Sequence, residues 1–167
     1  HTSSRRQRQM CIRDSILTAS HVISKATDVK VLDIKGELFS AKIIKNSIST
    51  DLALLKTELE LRPITIETEK PKIGSSACLI SNSFGLNIGI TCGVISATGL
   101  SNIGFNDIED FLQTDAAANP GSSGGALVNL NGELLGMMSG IFTKNTDTNA
   151  GVNFAISSSL ISKFLAN

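Results

Sequence analysis

Asn119-Pro120-Gly121-Ser122-Ser123-Gly124-Gly125 sets a serine among residues small enough for the backbone to turn sharply around it. Nucleophilic serine catalysis needs that: an accessible Oγ, and backbone N–H groups nearby for the oxyanion that forms on attack. Gly121 to Gly125 also fits G-x-S-x-G, the nucleophile elbow of α/β-hydrolases. Chain order decides between the two. Elbow folds carry their histidine after the serine, and the two histidines here, His1 and His21, both precede it. The elbow is excluded.

Outward from that stretch the chain reads as all-β. Short runs rich in Val, Ile, Leu and Thr recur between turn residues. The expected strands are Ile16–Ala19, Val29–Asp33, Leu38–Ile44, Asp51–Thr57, Ala77–Ser81, Ile90–Ala97, Phe111–Gln113, Ala126–Leu130, Leu134–Phe142 and Val152–Ile156. Asn131-Gly132 predicts a type I′ hairpin turn, and Ile34-Lys35-Gly36-Glu37 a weaker turn of the same kind. Ser158–Leu165 differs, with Leu160, Ile161, Phe164 and Leu165 at helical spacing after capping serines. Pro63 and Glu67–Lys72 mark a crossover between an N-terminal and a C-terminal set of strands. Many short strands with one terminal helix favour a closed β architecture over an open α/β sheet.

The 167 residues suit one domain or two small halves sharing a core, with 41% hydrophobic content and seven Phe in place of any Trp or Tyr. No apolar run approaches the ~18–20 residues that span a bilayer. Residues 1–15, rich in arginine and without apolar periodicity, read as a non-native cloning scar or a disordered basic tail, and any leader segment is out of view. They hold four arginines and one aspartate, so without them the formal charge moves from 0 to −3. A mildly acidic body argues against nucleic acid as a partner. Of the cysteines, Cys78 and Cys92 flank an expected hairpin. They form either a disulfide, in an oxidising compartment, or two small buried apolar residues.

A serine hydroxyl needs a general base, and His21, where an apolar strand ends, is the histidine left once the N-terminal segment is set aside. The base needs a carboxylate to fix its tautomer. Asp51 opens a buried strand; Asp28 and Asp33 are rivals on spacing but lie in polar turns. The blocks Leu17-Thr18-Ala19-Ser20-His21-Val22-Ile23, Asp51-Leu52-Ala53-Leu54-Leu55-Lys56 and Gln113 to Gly125 resemble, in order, the three signature blocks of the HtrA/Deg serine proteases. Ser83-Phe84-Gly85-Leu86, Gly93-Val94-Ile95-Ser96 and Gly151-Val152-Asn153-Phe154-Ala155-Ile156 add to the likeness, which covers about residues 16–165.

The resemblance implies two six-stranded β-barrels of chymotrypsin type, residues 16–66 and 73–167, with a short C-terminal helix and the active site between them. The strand that normally precedes Ile16 is missing from the pattern, so the N-terminal barrel is expected to be incomplete. Ser123 would be the nucleophile, His21 the general base and Asp51 the orienting carboxylate. The N–H groups of Gly121 and Ser123 would form the oxyanion hole. Ala118 would line a shallow apolar specificity pocket, and Ser139, Gly140 and Ile141 would form the strand to which substrate adds. Asp115 raises the rival idea of selection for Lys or Arg. Ser122 stands where the family usually has Asn, and Ala126 where it often has Pro; neither is expected to touch a catalytic group.

The implied activity is endopeptidase cleavage of unfolded or misfolded proteins through an acyl-enzyme, without metal or cofactor. The implied setting is the bacterial envelope, as a periplasmic homotrimer. The PDZ domain usual in the family is not in view after Asn167: either the parent protein lacks one or the sequence is cut at both ends. Two rivals are a catalytically impaired module that binds unfolded polypeptides and an esterase.

Overall fold

The computed structural model describes residues 15–26, 28–141 and 150–166, with only the backbone at Ile141. The N-terminal segment falls almost wholly outside them; Ser15 is its one described residue. In chain order the elements are β1 (Ser15–Ala19), α1 (Ser20–Ile23), β2 (Val29–Leu32), β3 (Leu38–Ser47), β4 (Leu52–Thr57), β5 (Ser76–Ser81), β6 (Gly89–Leu100), β7 (Phe111–Thr114), β8 (Ala126–Val128), β9 (Leu134–Ile141), β10 (Asn153–Ser157) and α2 (Ser158–Ala166). The strand at Leu38 runs three residues past its expected end, and Phe142 lies outside the described residues. Sequence periodicity gave no sign of α1, which is a single turn. No helix among the described residues is long and apolar enough to cross a membrane.

The strands divide into two antiparallel sets. β1, β4, β3 and β2, in that order, make a four-stranded sheet, a half-barrel where an incomplete six-stranded barrel was expected. β10, β7, β6, β5, β8 and β9 close into a six-stranded barrel. Alternation explains the faces. On β4, Leu52, Ala53 and Leu55 are buried while Lys56 is exposed, and Ala53 and Leu55 pack with Ile23 under the N-terminal sheet. The barrel is filled by Leu79, Ile95, Leu112, Leu127, Leu135 and Met138 with small alanines between them.

A third cluster joins the two sets. Ala19 and Leu52 from the sheet meet Phe111, Met137, Phe154 and Ile156 of the barrel and Leu160, Ile161 and Phe164 of α2. Burying an aliphatic or aromatic side chain is worth about 1.5–3 kcal/mol. This seam is therefore what holds the ends of β1 and β4 against the barrel.

The turn at Asn131-Gly132 is not type I′. Gly132 alone takes positive φ, 78°, and Asn131 does not. Asn129 heads the loop instead. Its carbonyl accepts from Gly132 N–H at 3.0 Å, and its Oδ1 accepts from Asn131 and Glu133 N–H. An Asx residue two positions upstream thus supplies the acceptors that a two-residue turn lacks. Asp33 does the same at the β2–β3 turn, where its Oδ1 takes Lys35 and Glu37 N–H.

Cys78 and Cys92 are directly opposed on β5 and β6 and joined by a disulfide. Neither is buried, which excludes the packing alternative. A link across 14 residues restricts the unfolded chain by about 3 kcal/mol. Reduction is expected to lower the melting midpoint by roughly 6–12 °C, measured by circular dichroism with and without a dithiol reductant.

Candidate active site

Register builds the first half of the site. β1 and β4 pair Ala19 with Leu52, so the residues just past the end of one strand meet those just before the other. His21 stands on α1, and Asp51 follows the turn at Ile48–Thr50. Asp51 adopts φ 56°, ψ 35°, a left-handed conformation that aspartate tolerates better than most residues. Its carbonyl accepts from Ser20 N–H at 3.1 Å, and its Oδ1 accepts from His21 N–H at 2.9 Å. Backbone and side chain of Asp51 thus fix the start of the helix that carries His21.

The imidazole is oriented by the same carboxylate. His21 Nδ1 lies 2.8 Å from Asp51 Oδ2 and 3.0 Å from Oδ1. An ionised carboxylate only accepts, so in the neutral ring the proton sits on Nδ1 and Nε2 keeps its lone pair. The His21 side chain is 51% exposed and that of Asp51 only 8%. That suits a base that must reach substrate and an acid that must not be solvated away. The rivals are engaged elsewhere. Asp28 is exposed and pairs with Lys30 at 3.5 Å, and Asp33 holds its turn.

The turn carrying Ser123 is gripped from two sides. Gly124 N–H donates to Met138 O, and Met138 N–H to Gly125 O, each at 2.8 Å. On the other side Phe84 N–H donates to Pro120 O at 2.7 Å. Gly121 takes φ 95°, and a Cβ there would sit 2.8 Å from Asn82 O, so both conformation and space demand glycine. Ser122 N–H and Gly125 N–H are spent within the turn. The N–H groups of Gly121 and Ser123, the expected oxyanion donors, have no protein acceptor among the described residues.

Ser139 connects the two halves. Its hydroxyl donates to Asp51 Oδ2 at 2.7 Å, while its carbonyl accepts from Ser123 Oγ at 3.4 Å. Ser123 and His21 are not hydrogen-bonded to each other in this structure. Ser139 was expected only as part of the substrate strand, and its hold on Asp51 went unread. The sole signal is one hydroxyl in an otherwise apolar strand. Ser139→Ala leaves a buried carboxylate one donor short, a loss of about 1.5–3 kcal/mol for a charged acceptor. The expected result is a ten- to hundredfold fall in kcat with KM nearly unchanged, read from steady-state peptide kinetics.

Ser122 also does more than expected. It is 1% exposed. Its Oγ accepts from Asn119 N–H at 3.1 Å and meets the hydroxyls of Ser81 and Ser83 at 3.2 and 2.9 Å. It anchors the turn to the end of β5 without contacting a catalytic side chain. Ala118 is fully buried in the barrel core. Asp115 is exposed, with its Oδ1 taking Val94 N–H at 2.7 Å. Gly140 and the backbone of Ile141 pair with β10, whereas the β8 pairing ends at Met137. His21, Asp51, Ser139 and Gly140, with Ile48 and Phe105, line a cleft of about 530 Å³.

Residues 9–137 match the trypsin-like peptidase domain family. The chain is 38% identical over 149 residues to the periplasmic serine endoprotease DegP of Escherichia coli strain K12, covering 87% of this chain and 31% of that protein. It is 39% identical over 145 residues to a probable DegP-like periplasmic endoprotease of Chlamydia trachomatis, covering 86% and 29%. The chain thus spans about a third of the length of these relatives. Among solved structures, the HtrA-type protease AlgW with a decapeptide superposes with a TM-score of 0.87 at 38% identity, over 92% of this chain and 48% of that one. The serine endoprotease of Yersinia pestis gives 0.77 at 39%, over 92% and 53%. With residues 9–137 inside its signature and the His21–Asp51 pair formed beside the Ser123 turn, the chain belongs to the trypsin-like peptidase family.

Proposed function

We propose that this chain is the catalytic part of a serine endopeptidase that cleaves unfolded polypeptides through an acyl-enzyme. The observation that carries the reading is Ser139, which ties the His21–Asp51 pair to Ser123 through its hydroxyl and its carbonyl. Rotation of the Ser123 side chain exchanges the long bond to Ser139 O for His21 Nε2, the tightening that catalytic pairs undergo when substrate binds. Nε2 takes the hydroxyl proton, Oγ adds to the scissile carbonyl, and the N–H groups of Gly121 and Ser123 receive the oxyanion. His21 then gives the proton to the leaving amine, and water releases the acyl group by the same steps.

Substrate backbone adds alongside Ser139 to Ile141, on the side that β8 leaves open. A shallow apolar pocket before the nucleophile suits Val, Ile, Leu or Ala, with Ala118 in the core behind it and not on its surface. The chemistry draws on no metal or cofactor. The relatives named above are periplasmic, and a disulfide fits that compartment. We place this protein in the bacterial envelope on that basis, as a homotrimer of the kind the HtrA/Deg resemblance implies. Residues 16–66 and 73–167 serve as its two halves. A fluorophosphonate probe is expected to label the native chain but not Ser123→Ala, with casein hydrolysis lost in parallel. Equal labelling of both would sink the assignment.

A further inference from the structure

Part of the cleft wall beside His21 comes from the loop joining β6 to β7, residues 101–110. Phe105, near its middle, is 45% exposed, yet its ring has a defined seat. It lies 5.5 Å from the ring of Phe154 and edge-on to Phe111 at 6.1 Å. A Cβ built on Gly140 would come within 3.7 Å of it. An aromatic on a polar loop ordinarily samples several positions, because little apolar surface is buried to fix it.

Glu109 removes that freedom. Its Oε1 accepts from the N–H groups of Gly104, Phe105 and Asn106 at 2.9, 2.7 and 3.0 Å. Its Oε2 accepts from Ile103 N–H at 2.6 Å. Desolvation opposes the charge, but the amides of Asn106, Ile103, Phe105 and Gly104 outweigh it and hold the carboxyl below its ordinary range. The acid stays ionised at neutral pH, with the loop wrapped around it. The same loop is fastened to the turn before Asp51, by Ile108 N–H to Ser49 O at 2.9 Å and Asn106 Nδ2 to Thr50 O at 3.4 Å.

We infer that Glu109 is a positioning residue for substrate selection. By holding residues 103–106 it seats Phe105 against Gly140, and the pocket among Phe105, Ile48 and His21 takes an apolar side chain of a strand lying along Ser139–Gly140. This rests on the peptidase reading of the cleft but concerns binding, so it is tested without turnover. Peptides carrying Leu or Ser at each residue before the scissile bond are titrated into the full chain bearing Ser123→Ala. At one position Leu is expected to bind roughly tenfold tighter than Ser, the discrimination an apolar pocket supplies.

Phe105→Ala is expected to erase that ratio. Glu109→Ala should erase most of it, and Glu109→Gln should keep part, since one oxygen can still hold three amides. Combining Glu109→Ala with Phe105→Ala should lower the ratio no further than Phe105→Ala alone. If Glu109→Ala weakens Leu and Ser peptides equally, Glu109 only stabilises the loop and the proposal is overturned. It is equally overturned if no position discriminates in the parent. Failure of the peptidase reading shows separately, as absent fluorophosphonate labelling of Ser123 in the native chain.

Discussion

Ser123→Ala is expected to cut peptide hydrolysis by about a millionfold while leaving the melting midpoint within a degree or two of the parent. The magnitude follows from how a serine triad works: base and oxyanion donors act only through the attacking oxygen, so removing it costs about as much as removing the whole triad. The residual rate, about 10³–10⁴ over water, comes from the N–H groups of Gly121 and Ser123 and from strand addition along β9. The fold should tolerate the change because, among the described residues, the Ser123 hydroxyl makes a single long bond, 3.4 Å to Ser139 O. Initial rates on a chromogenic peptide, with thermal melts of both proteins, check the two halves of this expectation. A loss of only tenfold would remove Ser123 from the nucleophile's role.

Asp51→Asn is expected to lower kcat by about 10⁴ with little change in KM. The carboxylate accepts from His21 N–H, His21 Nδ1–H and the Ser139 hydroxyl. An amide offers one acceptor oxygen where these donors use two. If its NH₂ faces Nδ1, the imidazole must take the other tautomer, with Nε2 protonated and useless as a base. If the oxygen faces Nδ1 instead, the NH₂ opposes the Ser139 hydroxyl and the imidazolium loses its compensating charge. Single-turnover acylation rates, compared with peptide affinity, separate this from a binding defect. Unchanged acylation with weakened binding would make Asp51 structural.

What the sequence reveals and what it withholds divide along physical lines. Strands such as β4 and β9 are legible because burial on one or both faces forces apolar content at fixed spacing. His21, Asp51 and Ser123 are legible because serine chemistry needs those types, and their order excludes the elbow. Ser139, Ser122 and Glu109 are different. A serine inside an apolar strand, a serine beside a nucleophile and an acid in a polar loop are each common, and none announces a partner. Their importance comes from groups 16 to 88 residues away, or, for Glu109, from four amides that converge only once the loop is folded. The turn at Asn131 shows the same limit. The dipeptide suggested its own geometry, and the upstream Asn129 side chain overrode it.

The double duty of Ser139 makes competence for cleavage a property of the assembled molecule. Its hydroxyl answers to a carboxylate supplied by the four-stranded sheet, and its carbonyl to a serine supplied by the barrel. On the peptidase reading, a partly folded copy would hold one half or the other, and neither would cut. Mild denaturation should silence the chain before either sheet melts.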